Sequence, residues 1–289
     1  MKHIYLDTSH LLKWENKTLR KNEIEILNAV AADSNCKFVI SDIHIVEISN
    51  KSDRKQLAED YNFICQLPFK VLLTVFDIYK NEVICAYKKF NSNGEKIVPP
   101  LVFEEKDLCH DDIEKVLLSY DEQQKHHNEL DQLIKIKSSE ISSISKRANK
   151  DVLKNIIRDS FKLRLKLVAE QSSLEIAEEG AFIDYVCGDP HLCPSLKINF
   201  YMHMTLIKNN KTKIISVNDW FDVLHANAAP YVDYFSLDRE SCDRLKNVVR
   251  SHNIHIAARI HSDLAQLFSG DSSTTIINSN LLPAVSELF

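Results

Sequence analysis

The sequence predicts an α/β protein in which a parallel sheet is interrupted by a long helical insertion. Strand-like apolar runs alternate with helical patterns near both ends of the 289-residue chain, and this alternation is typical of a parallel sheet. Between about 111 and 185 almost every window has helical periodicity, and this stretch contains no proline. A helical stretch of that length exceeds one crossover between neighbouring strands, so we interpret it as an insertion.

The N-terminal pattern begins with a strand over residues 2–6, which is followed at once by Asp7. Thr8 and Ser9 can cap the helical pattern that continues from there to about Ala32, because short hydroxyl side chains accept hydrogen bonds from the first N–H groups of a helix. The sequence therefore predicts a strand, a tight junction and a helix.

A second strand is predicted at residues 37–41, and the helical pattern after it contains Glu47. Residues 51–90 also have helical spacing, which is broken at Pro68, and residues 71–73 could form a short strand.

The alternation of strands and helices returns near the C-terminus. The pattern predicts a strand at 212–217, a helix to about 228, a strand at 232–237, a helix at 239–250, a strand at 253–258 and a short helix at 261–268. We therefore expect the insertion to lie between the second and third strands of the sheet.

The predicted domain organisation follows from these elements. Residues 1–50 and 212–268 form one α/β domain, residues 51–211 supply connecting helices and the helical insertion, and residues 269–289 form a C-terminal tail.

The composition argues against several classes of protein. Only four glycines occur and no glycine-rich phosphate-binding motif is present, which counts against Walker-type and dinucleotide-binding loops. The net charge of −5 means that phosphate binding would need a metal ion or a local basic patch. No run of eighteen apolar residues and no signal-peptide pattern occurs, so we expect a cytoplasmic protein without a membrane span.

Four acidic residues follow predicted strands. Asp7 ends the first strand, Glu47 lies in the helix after the second, Asp222 lies in the helix after residues 212–217, and Asp238 ends the strand at 232–237. Because the carboxyl ends of parallel strands meet at one edge of a sheet, we expect these side chains to converge there. Clustered carboxylates repel one another, and a hard divalent cation such as Mg²⁺ or Mn²⁺ relieves that repulsion. The alternative is that each acid caps a helix or forms an ion pair.

Further polar residues lie close to these acids in the sequence. Asp219 and Asp233 are alternative ligands to Asp222 and Asp238, and Thr8 or Ser236 could hydrogen-bond a ligand carboxylate or a phosphate. Glu82 could supply another acid, although we expect it on a solvated helix face.

Three segments carry a family resemblance, and they are Ile4-Tyr5-Leu6-Asp7-Thr8-Ser9, Ile40-Ser41-Asp42 with Glu47, and Asn218-Asp219-Trp220-Phe221-Asp222 followed by Ala226-Asn227-Ala228 and Ser236-Leu237-Asp238. They resemble PIN-domain nucleases, in which a strand ends in Asp-Thr-Asn or Asp-Thr-Ser and a later strand ends in Thr-x-Asp. Ser236 stands where threonine is usual, and the resemblance covers residues 1–50 and 212–268.

The resemblance implies a PIN-like sheet with strand order 3-2-1-4-5 and metal-dependent cleavage of single-stranded nucleic acid, with RNA as the expected substrate and DNA as the alternative. Asp7, Glu47, Asp222 and Asp238 would be its catalytic, metal-binding residues. A toxin, stress-response or defence nuclease is compatible with it, as are a homodimer and an inhibitory partner protein. The alternative is a catalytically inactive nucleic-acid-binding or scaffold module. A phosphatase of the haloacid-dehalogenase type is disfavoured, because it would need an aspartate where Ser9 stands.

The insertion contains a basic stripe, in which a cationic residue recurs every four positions at Lys146, Lys150, Lys154, Arg158, Lys162 and Lys166. One interpretation is a surface that tracks nucleic-acid phosphates. The other is an amphipathic helix whose lysines lie at the rim of its apolar face.

Overall fold

The computed structural model describes residues 1–51, 54–92, 99–104, 150–209 and 216–269. The described strands are β1 (Lys2–Leu6), β2 (Cys36–Ile40), β3 (Phe69–Val71), β4 (Tyr234–Ser236) and β5 (Arg259–Ile260). They form one sheet in the order β3-β2-β1-β4-β5, and each neighbouring pair is parallel. The parallel sheet and its strand order are therefore confirmed.

Helices connect and cover these strands. The described α-helices are α1 (Thr8–Glu15), α2 (Lys21–Ala32), α3 (Asp42–Lys51), α4 (Arg54–Gln66), α5 (Val75–Asn91), α6 (Lys150–Gln171), α7 (Glu179–Gly188), α8 (Pro194–Asn209), α9 (Val217–His225), α10 (Arg239–Ser251) and α11 (Leu264–Leu267), and a 3₁₀-helix spans Ala226–Tyr231. Within the described ranges no helix is both long and apolar enough to cross a membrane.

Side chains of the central strands alternate between two apolar cores, as the pleat of a strand requires. Tyr5 and Phe235 pack into a core with α8, α9 and α10, whereas Ile4 and Leu6 pack into a core with α1, α2 and α4. A third core joins α5, α6, α7 and α8, with Phe161 and Phe182 fully buried in it. The described helices of the insertion thus pack together and adjoin the sheet through α8.

The position of the third strand corrects the sequence prediction. The third strand of the sheet is Phe69–Val71, so the insertion lies between β3 and β4 and not between the second and third strands. Residues 212–215 lie outside the described residues, but Val217 begins α9 and is not in a strand. A reciprocal capping box explains the difference, because the side chains of Ser216 and Asp219 each accept a hydrogen bond from the other's backbone N–H.

Two further boundaries differ from the prediction. The helical stretch to Ala32 is two helices, α1 and α2, which are separated by a turn containing Lys17 at a positive φ of 54°. The last strand is Arg259–Ile260, whereas the prediction placed it at 253–258. Of the predicted C-terminal tail, only Ser269 belongs to the described residues.

The register of the sheet places the two acid-bearing strand ends side by side. Leu6 of β1 pairs with Ser236 of β4, and the backbone N–H of Asp7 donates to the carbonyl of Ser236 at 2.9 Å. Asp7 and Asp238 therefore leave the sheet at the same edge, where the carboxyl ends of the strands meet.

Candidate metal centre

Asp7 is a buried carboxylate at the junction of β1 and α1. Its side chain is 7% exposed and accepts hydrogen bonds from the backbone N–H of Ser9 at 3.3 Å and from the Ser9 hydroxyl at 2.7 Å. Asp7 is thus also the N-cap of α1, so its carboxylate has a structural role besides its place at the edge of the sheet.

Glu47 and His225 meet in the interior beside Asp7. Glu47, on α3, is 4% exposed and His225, the last residue of α9, is fully buried. His225 Nε2 lies 2.8 Å from Glu47 Oε2. Because an acid surrounded by apolar side chains is costly without a polar partner, this contact explains how α3 tolerates Glu47.

Asp7, Glu47 and His225 form a group that could hold a metal ion. One potential ligand atom from each lies within 4.8 Å of the other two. Carboxylate oxygens suit Mg²⁺ and Mn²⁺, and an imidazole nitrogen suits softer divalent metals, so this donor set fits a divalent cation.

Two buried hydroxyl groups lie close to Asp7 and Asp238 along the sequence. The side-chain oxygens of Thr8 and Ser236 are buried and have no hydrogen-bond partner among the described residues. Unsatisfied buried polar atoms are uncommon in folded proteins, and two of those found among the described residues adjoin the strand ends that carry Asp7 and Asp238.

Asp222 borders this group on α9, one turn before His225. Its Oδ2 accepts a hydrogen bond from the Ser241 hydroxyl at 2.8 Å. Burial, with the negative charges of Asp238 and then Asp7 adding to it, raises the pKa of Asp222 to about 7. The carboxylates are therefore close enough to oppose one another's ionisation, and a cation between them would relieve this opposition.

Asp238 lies at the exposed rim of the site. It is the N-cap of α10, and its Oδ1 accepts hydrogen bonds from the N–H groups of Glu240 at 2.8 Å and Ser241 at 3.1 Å. Because its charge helps to raise the pKa of Asp222, Asp238 combines helix capping with an electrostatic contribution to the site.

The two alternative acids occupy other places. Asp219 accepts the N–H and hydroxyl of Ser216 at 2.9 and 2.7 Å, which makes it part of the α9 cap. Asp233 is exposed and accepts the N–H of His3 at 2.7 Å, near the start of β1 and hence at the opposite edge of the sheet.

Three residues of the basic stripe form ion pairs with acidic side chains. Arg158 lies 3.6 Å from Asp159, Lys162 lies 3.0 Å from Asp184, and Lys166 lies 3.1 Å from Glu179. Lys146 lies outside the described residues, and Lys150 and Lys154 belong to the first turns of α6.

Sequence reasoning missed His225. Its spacing from Asp222 places both residues on one face of a helix, and this was the signal that could have found it. Burial by itself lowers the pKa of His225, but its hydrogen bond to Glu47 and the charges of Glu47, Asp7 and Asp222 raise it above the usual value. The acids around His225 therefore favour the charged form of its imidazole.

His10 was also missed. It lies one turn after Asp7, and its Nδ1 is buried without a hydrogen-bond partner among the described residues. The pKa of His10 is lowered, because burial outweighs the raising effect of the Asp7 charge.

Comparisons with protein-family models, curated proteins and solved structures give no match. The functional proposal therefore depends on the chemistry of the site itself.

Proposed function

We propose that this protein is a divalent-metal-dependent nuclease that cleaves phosphodiester bonds in single-stranded nucleic acid. The observation that carries the proposal is the meeting of Asp7, Glu47 and His225 within 4.8 Å, with Asp222 bordering them. Active sites of parallel α/β proteins lie at this edge of the sheet, and grouped carboxylates are the usual protein ligands of the cations that assist phosphoryl transfer.

Asp7, Glu47 and His225 would hold the cation, with Asp222 on their flank. When bound, Mg²⁺ or Mn²⁺ would lower the pKa of a water molecule and neutralise charge on the phosphate. The protein supplies fixed positions for these ligands, because Asp7 is held by Ser9, Glu47 by His225 and Asp222 by Ser241.

Asp238 lies on the solvent-exposed side of the site. It is exposed whereas Asp7 and Glu47 are buried, so a phosphate would approach past Asp238. RNA as the substrate, and a toxin, stress-response or defence role, are proposed from the resemblance to PIN-domain nucleases.

One observation favours a second candidate, a nucleic-acid-binding or scaffold module without catalysis. Asp7 and Asp238 each cap a helix, and Glu47 pairs with His225. Each of these acids therefore has a structural role that does not require a metal.

Cleavage of labelled single strands separates the two candidates. RNA and DNA oligonucleotides are incubated with the full chain and Mn²⁺, and again with a chelator. The nuclease proposal expects cleavage with Mn²⁺, none with chelator and none by Glu47→Gln, while Asp233→Asn at the opposite edge of the sheet cleaves as the unsubstituted chain does. Binding without cleavage under all these conditions would establish the scaffold instead.

A further inference from the structure

The ring nitrogen of His225 that faces away from Glu47 leads into a second polar layer beneath the acids. His225 Nδ1 lies 2.5 Å from the hydroxyl of Tyr5, a fully buried residue of β1. The Tyr5 hydroxyl also lies 2.9 Å from the hydroxyl of Ser41. A fully buried chain of polar side chains thus continues from the metal-binding group into the core.

His44, on α3, ends this chain. Its Nδ1 lies 3.0 Å from the Ser41 hydroxyl and accepts the backbone N–H of Ser41 at 3.1 Å, and its Nε2 lies 2.7 Å from the carbonyl of Leu6. A backbone N–H only donates and a carbonyl only accepts, so the ring of His44 carries its proton on Nε2 and accepts at Nδ1.

The hydrogen bonds of His44 determine which atom donates and which accepts in the other bonds of this buried series. The Ser41 hydroxyl donates to His44, which leaves its oxygen to accept from the Tyr5 hydroxyl. The Tyr5 oxygen in turn accepts from Nδ1–H of His225. Reversing these bonds would leave the Ser41 hydroxyl oxygen and His44 Nδ1, which are 3.0 Å apart, facing each other as two acceptors in the buried core.

These bond directions determine the role of His225 Nε2, the ring nitrogen that faces the acids. With Nδ1 of His225 committed to donating, Nε2 faces Glu47, to which it donates while it also carries a proton and beside which it can bind a metal once that proton is released. A histidine that binds a metal through one nitrogen characteristically donates a hydrogen bond from the other, and that second bond fixes the orientation of the ring.

We propose that Tyr5, Ser41 and His44 are positioning residues that hold the His225 ring with Nε2 directed into the metal-binding group. This inference rests on the proposed function, because it assigns the three residues to the same metal centre. Loss of such a supporting hydrogen bond typically weakens metal binding by about 10- to 100-fold.

Tyr5→Phe tests the inference, because it removes one oxygen and keeps the aromatic packing. Tyr234→Phe is the matched control: Tyr234 lies on the neighbouring strand, packs in the opposite core, and its hydroxyl accepts from Lys2 Nζ at 2.9 Å. Mn²⁺ is titrated into each full-length chain and the free ion is followed by electron paramagnetic resonance. We expect Tyr5→Phe to bind Mn²⁺ at least about tenfold more weakly, and Tyr234→Phe to bind it as the unsubstituted chain does.

The second readout needs no metal. In nitrogen-15 spectra of the histidine rings, the unsubstituted chain and Tyr234→Phe should show a protonated, hydrogen-bonded Nδ1 for His225, assigned by comparison with His225→Gln. That signal should change or vanish in Tyr5→Phe and in Ser41→Ala, while circular dichroism shows that both variants are folded. A purely structural role for Tyr5 would leave the signal and the Mn²⁺ affinity unchanged.

The outcomes are distinguishable from those of the nuclease proposal. Mn²⁺ binding that is equal in the unsubstituted chain and Tyr5→Phe would overturn the positioning role and leave the nuclease proposal standing. Absence of Mn²⁺ binding by the unsubstituted chain would overturn both.

Discussion

Two buried glutamates, Glu82 and Glu47, have different surroundings in this protein. Glu82, on α5, accepts the backbone N–H groups of Ser195 at 2.8 Å and Leu196 at 3.1 Å, and the hydroxyl of Tyr231. It therefore caps the first turn of α8 from a neighbouring helix. Glu47 instead faces His225 and lies beside Asp7.

The difference lies in what surrounds each carboxylate. Glu82 is met by neutral donors that satisfy it, and burial, opposed by those hydrogen bonds, raises its pKa to about 7. Glu47 belongs to a group that contains a second acid, and such a group gains from a cation. Burial alone therefore does not distinguish these two glutamates, whereas the charge of their neighbours does.

The largest effect is expected from replacing Asp7, the second acid of the group that contains Glu47. Asp7→Asn should lower Mn²⁺-dependent cleavage by roughly a thousandfold or more, because an amide replaces a carboxylate ligand. The melting temperature should change little, since asparagine caps a helix as well as aspartate does. Cleavage rates and thermal unfolding of the same preparation measure the two effects, and near-normal cleavage would remove Asp7 from the mechanism.

Glu82→Gln should show the opposite behaviour. The amide nitrogen of glutamine would face a donor, and a broken buried hydrogen bond lowers the free energy of unfolding by about 1–3 kcal/mol. Cleavage per folded molecule should stay as it was. Urea unfolding measures the loss, with Asp243→Asn on the exposed side of α10 as the control. Loss of cleavage in folded Glu82→Gln would erase the distinction between the two acids.

The raised pKa of Asp222 predicts how the free energy of unfolding depends on pH. Its pKa is raised in the folded protein, so the folded state holds a proton that the unfolded state has already released. Stability from this group is therefore present at low pH and is lost as pH rises from about 4 towards 7. In the presence of chelator, the free energy of unfolding should fall over this range relative to that of Asp222→Asn.

Adding Mn²⁺ to the same samples sharpens this result. The cation favours the ionised carboxylate, so it should stabilise the unsubstituted chain more at pH 7.5 than at pH 5. Parallel unfolding curves for the two chains at every pH would show that Asp222 does not titrate in this way.

The smallest effect is expected at the basic stripe. Lys162→Gln should change the free energy of unfolding by less than about 1 kcal/mol, because its ion pair with Asp184 is exposed. If Lys162 contacted an RNA phosphate, Lys162→Gln would lower the slope of log affinity against log salt concentration by about 1. We expect an unchanged slope, since Asp184 already offsets the charge of Lys162. A reduced slope would instead support phosphate tracking along α6.

The local sequence determined much of the fold and part of the site. Strand patterns beside Asp7 and Asp238 predicted that both residues leave a parallel sheet at one edge, because alternation of strands and helices constrains the connections. Glu47 was predicted beside them on the same grounds. The third strand was predicted only as an option, and at residues 71–73 instead of Phe69–Val71, since three residues carry too little pattern to separate a strand from a turn.

Tertiary structure decided the rest, because it sets which side chains meet. Nothing in the spacing of Glu82 shows that the start of α8 lies against it, and so an acid expected on a solvated face is buried. The same is true of His225, whose partners Tyr5 and Glu47 come from β1 and α3. The sequence by itself determined that Asp7 and Asp238 end strands, whereas packing determined that Glu47 meets His225 and that Glu82 is satisfied by neutral donors.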